Sequence, residues 1–156
     1  MISMFNTASA FNQPLNNWNV SGVINSGFNQ MFQNAVAFNQ DLNSWDVSNA
    51  TSLTLMFSNS PFNGNISSWD VSNVTNFINC FKDATSFNSD ISGWNVSSVL
   101  RFDSMFSGCS SFNQNVSNWN VSAATQMNTM FQNASVFNND ISGWNTVNVT
   151  NMKQMF

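Results

Sequence analysis

The chain has 156 residues, 42% of them hydrophobic, and its 16 Phe and 6 Trp supply the apolar mass for a real core; such regularly spaced aromatics exclude a disordered polar tract. Three basic residues (Lys82, Arg101 and Lys153) and a net charge of −4 exclude the electrostatic footprint of a binder of nucleic acid or of an anionic membrane surface. No run of about 18 apolar residues is present, so no membrane-inserting helix is expected.

The chain opens on Met1-Ile-Ser-Met-Phe5, which lacks the basic and apolar regions of an export signal and enters a repeat at once. Tryptophans at 18, 45, 69, 94, 119 and 144, each seven residues after a Phe-Asn pair, recur about every 25 residues. They divide a single domain, 1–156, into a partial coil at 1–10 and coils at about 11–37, 38–61, 62–86, 87–111, 112–136 and 137–156. The first interval is longer by two residues, around Ile24-Asn-Ser-Gly27, and the second is shorter by one, at Ser58-Asn-Ser-Pro61. Both changes read as slack that loops absorb cheaply. The chain closes on Met155-Phe156, in the phase of Met4-Phe5, so it is expected to be part of a longer chain or assembly.

Two periodicities alternate within each coil. Ile66-Ser-Ser-Trp69-Asp-Val71 fits the strand half of a leucine-rich repeat, and the pattern recurs at Leu15/Trp18/Val20, Leu42/Trp45/Val47, Ile91/Trp94/Val96, Val116/Trp119/Val121 and Ile141/Trp144. Val74, Phe77, Phe81 and Ala84 then follow helical spacing, which predicts one or two turns of helix over roughly 74–83 and at equivalent places. The expected fold is an α/β repeat solenoid of leucine-rich-repeat type with about six coils, short parallel strands on one face and short α or 3-10 helical turns on the other. Columns of Leu, Trp, Val, Met and Phe are expected to form its continuous core.

Met105-Phe-Ser-Gly-Cys-Ser-Ser-Phe112 with Trp119-Asn-Val-Ser122, and Trp69-Asp-Val-Ser-Asn-Val-Thr75, resemble the BspA-like leucine-rich-repeat surface proteins over essentially the whole chain. The resemblance implies an exported or cell-surface protein, with some members acting as adhesins, and a non-enzymatic interaction module. No anchor, wall-sorting signal or lipidation site is expected within these residues.

The side-chain inventory is poor in reactive groups. Without His, Tyr or Glu there is no usual general base to activate the many serines, so no enzyme is expected. Cys80 and Cys109 occupy different core columns one coil apart and read as two buried free thiols, a disulfide requiring an offset of the coils. Asn12, Asn39, Asn63, Asn88, Asn113 and Asn138 each follow a core Phe, and stacked amides there can form a structural ladder. Asn-x-Ser/Thr triplets at Asn19, Asn49, Asn65, Asn73, Asn95, Asn115, Asn120, Asn133 and Asn148 are either glycan acceptors or by-products of fixed repeat columns.

The candidate binding residues follow the tryptophans. Asn19, Asp46, Asp70, Asn95, Asn120 and Asn145 lie on the expected outward strand face, a carpet of small polar groups suited to a glycan or protein ligand, with a merely solvated face as the plain alternative. Calcium is a lesser reading, through Asp46 with Asp70 or through Asp41, Asp90 and Asp140, although no loop has a defined multi-oxygen pattern. The other functional reading is a structural subunit that self-associates through open ends into a filament or surface layer. Ice binding by a flat face lacks its Thr-x-Thr column.

Overall fold

A computed structural model describes every residue from Met1 to Phe156. It contains no helix and no continuous strand. The backbone is a succession of turns, and its only sheet-like pairings are isolated parallel bridges: Asn25 with Ala50, Ser52 with Asn76, Asn76 with Arg101, Arg101 with Gln126, and Gln126 with Asn151. This overturns the α/β, leucine-rich-repeat-like architecture in both halves, the strands around each Trp and the helical turns exemplified by 74–83.

The helical half fails because its backbone alternates in hand. Asn79 and Asp83 have φ of 54° and 58°, in the left-handed region that no α-helix contains. The N–H groups of Cys80, Lys82 and Ala84 bond back three residues, to the carbonyls of Phe77, Asn79 and Phe81. Those of Phe77, Asn79, Phe81 and Asp83 leave the coil and reach the carbonyls of Arg101, Asp103, Met105 and Ser107 in the next one. Every second donor therefore serves the neighbour, and no donor remains for a bond to the fourth residue back. The same turns bury Phe77, Cys80, Phe81 and Ala84, so the inward spacing imitates a helix. Asn, Asp and Gly accept the left-handed conformation cheaply; Asn34, Asn59, Asp83, Gly108 and Asn133 occupy one such column.

The strand half fails for a different reason. Trp69 N–H bonds to the Ile66 carbonyl and Val74 N–H to that of Val71, closing tight turns within the coil. Asn65 and Asp70 side-chain oxygens accept the N–H groups of Ser67 and Ser72, each at 3.0 Å. Short polar side chains thus satisfy donors that a strand would offer to its neighbour. Coils are joined here by side chains instead. The indole N–H groups of Trp45, Trp69, Trp94, Trp119 and Trp144 donate to the carbonyls of Leu15, Leu42, Ile66, Ile91 and Val116, at 3.0, 2.8, 3.2, 3.3 and 3.0 Å.

The repeat units stack on one hydrophobic core of 43 buried residues. Phe5, Phe32, Phe57, Phe81, Phe106, Phe131 and Phe156 form a column whose neighbouring ring centroids lie 5.3 to 5.9 Å apart. Each coil adds a second ring against the first, as Phe57 with Phe62 at 4.0 Å and Phe106 with Phe112 at 4.0 Å. Such pairs contribute about 0.5–1.5 kcal/mol each beyond the area they bury. Five tryptophans are buried as expected; Trp18 is 39% exposed.

Both cysteines are buried and free, in the two core columns assigned to them. Cys109 Sγ donates to the Phe81 carbonyl at 2.9 Å. Burial pushes both thiols well above the ordinary range, which keeps them protonated and unreactive.

Candidate interaction surface

Asn19, Asp46, Asp70, Asn95, Asn120 and Asn145 are all exposed, one per coil. Each folds its own turn. Their Oδ1 atoms accept the N–H two residues on, from Ser21, Ser48, Ser72, Ser97, Ser122 and Val147, at 3.0 to 3.2 Å. The hydroxyls of Ser21 and Ser48 add second bonds at 2.7 and 2.6 Å. One oxygen of each side chain is therefore committed to structure, and the remaining Oδ2 or Nδ2 lies outside that bond. The carpet of small polar groups is a column of identical turns rather than the outer face of a sheet.

Asp46 and Asp70 neighbour each other in this column. The Ser48 hydroxyl and N–H hold the Asp46 carboxyl below the usual carboxylate range, with Asp70's charge acting in the opposite sense. The Ser72 side chain and N–H do the same for Asp70. Hydrogen bonds to the charged form stabilise it.

Four further aspartates are engaged in similar ways, Asp83 being the exception. Asp90 and Asp140 accept the N–H groups of Ser92 and Ser142, at 2.9 and 2.8 Å, and both carboxyls are lowered by those bonds. Asp41 accepts the Asn65 N–H at 2.7 Å. Asp103 is buried, receives Arg101 Nε at 2.9 Å, and is also bonded by the Asn128 side chain. No group of three His, Cys, Asp or Glu side chains converges.

The Phe-Asn column runs beside the core. Asn12, Asn39, Asn63, Asn88 and Asn113 each accept, through Oδ1, the backbone N–H of the next Asn in the column, ending at Asn138, at 2.9, 2.6, 2.7, 2.9 and 3.0 Å. Amide bonds side chain to main chain across every junction. Among the Asn-x-Ser/Thr residues, Asn49, Asn73 and Asn148 donate their amide nitrogens to the carbonyls of Ser21, Ser48 and Ser122. One of the two amide hydrogens of each is committed there.

Where the repeat is shorter by one residue, Val36, Asn59, Ser60, Pro61, Asp83 and Thr85 line a surface notch of about 230 Å³. The shortened interval is visible in the sequence, but only its stacking between two longer coils turns missing chain into empty space.

These features define a repeat protein whose units are built from turns and joined by side-chain ladders. The chain belongs to the family described as Mycoplasma protein of unknown function, DUF285, whose model matches residues 1–67 and 51–156. No curated protein and no solved structure matches it.

Proposed function

We propose that this protein is a non-enzymatic, extracellular or cell-surface interaction module that binds a protein or glycan ligand through the column Asn19, Asp46, Asp70, Asn95, Asn120 and Asn145. The observation that supports this reading is the repetition of one exposed side-chain turn in every coil, with each Oδ1 pinned by the N–H two residues on. Pinning removes rotamer freedom before a ligand arrives, which lowers the entropic cost of binding. A regular row of amides and carboxylates suits an extended ligand with its own repeat. The resemblance to BspA-like surface proteins agrees with an adhesive role, and the absence of His, Tyr and Glu agrees with a role outside catalysis.

The test is a glycan and protein-ligand screen with the chain and its Asp46→Lys, Asp70→Lys double variant. Binding weakened at least about tenfold in the double variant, with unchanged thermal unfolding, is the expected result. Equal affinity in the two proteins overturns the column reading. Light scattering over a concentration series accompanies the screen, because growth into fibres of constant width would favour the other reading, a structural subunit that stacks end to end.

A further inference from the structure

We propose that the notch between Val36, Pro61 and Asp83 is a binding site for an arginine side chain presented by a protein partner. This goes beyond the column reading and shares no residue with it.

The notch has a specific origin. Ser60 and Pro61 stand where neighbouring coils have one residue more, so Val36 and Thr85 form walls on either side of a missing residue. Its volume of about 230 Å³ is below that of drug-sized pockets and suits a single side chain.

The chemistry of the lining is one-sided. Asp83 is the only aspartate of the seven whose carboxylate accepts no hydrogen bond and meets no cation in the chain; the other six are satisfied by Asn65, Ser48, Ser72, Ser92, Arg101 with Asn128, and Ser142. Asn59 donates its amide nitrogen to Asn34 Oδ1 at 2.9 Å, which leaves its own Oδ1 as an acceptor. The Ser60 hydroxyl proton is committed to the Ala35 carbonyl at 3.3 Å. Pro61 has no N–H. Among the lining side chains the uncommitted groups are therefore the Asp83 carboxylate, Asn59 Oδ1, the second N–H of the Asn59 amide and the Thr85 hydroxyl, and the carboxylate is the only charge.

A lining whose only charge is an unpaired carboxylate favours a cationic ligand rich in donors. Guanidinium carries five N–H donors and no acceptor, in a planar fork that matches a carboxylate. Its methylene stem would lie against Pro61 and Val36, the latter 54% exposed. Gly108, next after Asp83 in the left-handed column, leaves room for the Asp83 carboxylate, since a Cβ there would overlap Asp83 Oδ1. The net charge of −4 favours approach of a cation.

The experiment is a ¹⁵N NMR titration of the full chain with N-acetyl-arginine amide, its neutral analogue N-acetyl-citrulline amide, and a methyl glycoside. The proposal expects saturable shifts confined to residues near Asn59, Ser60, Asp83 and Thr85 with the arginine compound only. Asp83→Asn should weaken that binding at least about tenfold. Asn occupies the same left-handed column at 34, 59 and 133, so this variant keeps the fold. The Asp46→Lys, Asp70→Lys variant should titrate like the parent chain, which separates this site from the column. Equal shifts with citrulline, diffuse unsaturable shifts, unchanged binding by Asp83→Asn, or a saturable response to the glycoside each overturn the proposal.

Discussion

The rings of Phe81 and Phe87 stack with centroids 3.9 Å apart inside one coil, while Phe81 also lies 5.6 Å from Phe57 below and 5.8 Å from Phe106 above. One side chain thus ties three coils together. Phe81→Ala is expected to destabilise the protein by about 3–5 kcal/mol, through lost burial and the cavity left in a stack that cannot collapse. Phe81→Leu should cost clearly less. Urea unfolding followed by tryptophan fluorescence measures both, and equal midpoints for Phe81→Ala and the parent chain would contradict the stacked core.

Gly108 distinguishes the turn-built backbone from the expected helix by sign. In a helix interior, Gly→Ala stabilises by roughly 0.5–1 kcal/mol. Here Gly108 has φ of 75° and its absent Cβ makes room for Asp83, so Gly108→Ala is expected to destabilise by about 1–2 kcal/mol or more. Gly93→Ala, where nothing lies within 4 Å, should change stability by less than about 0.5 kcal/mol. A stabilising Gly108→Ala in thermal unfolding would restore the helix.

The side-chain turns predict acid sensitivity. The carboxyls of Asp46, Asp70, Asp90 and Asp140 are all lowered by bonds from the serine two residues on. A carboxyl depressed in the folded state binds fewer protons there than in the unfolded chain. Its contribution is therefore complete above the ordinary unfolded value, about 4, and is lost as pH falls through the lower folded value. Stability should hold on the neutral side and decline below about pH 4. Ser48→Ala removes the larger of the two bonds to Asp46, so the Asp46 titration followed by ¹³C NMR should move up toward the ordinary range. No movement would separate the pKa from the turn.

Much of the core was legible because burial in a stack repeats with the chain. The spacing of Phe, Trp and Val columns follows from one unit copied along the sequence, and Phe81, Trp94 and Val96 are buried where that spacing places them. The secondary structure was not legible. Val74, Phe77, Phe81 and Ala84 read as a helical face, yet left-handed residues at Asn79 and Asp83 produce the same inward pattern with turns. Apolar periodicity reports which side chains face inward and says nothing of where the N–H groups go.

The same division runs through the candidate sites. Asn19, Asp46, Asp70, Asn95, Asn120 and Asn145 were found by their place after each Trp, but the commitment of every Oδ1 to a turn depends on backbone geometry. The deletion before Pro61 was visible as a shortened interval, and the notch it opens exists only between the coils on either side.

The sequence by itself determined the unit length, the core columns, the buried thiols of Cys80 and Cys109, and the poverty of reactive groups, because these depend on residue identity and spacing alone. Tertiary structure alone decided that the N–H groups of Phe77, Asn79, Phe81 and Asp83 are satisfied by the next coil, and that Asp83 is left with a carboxylate nothing in the chain satisfies. The reason is physical: a turn that sends alternate donors outward leaves them unpaired until a second copy is stacked against it, so no local stretch of sequence contains the partner that fixes its conformation.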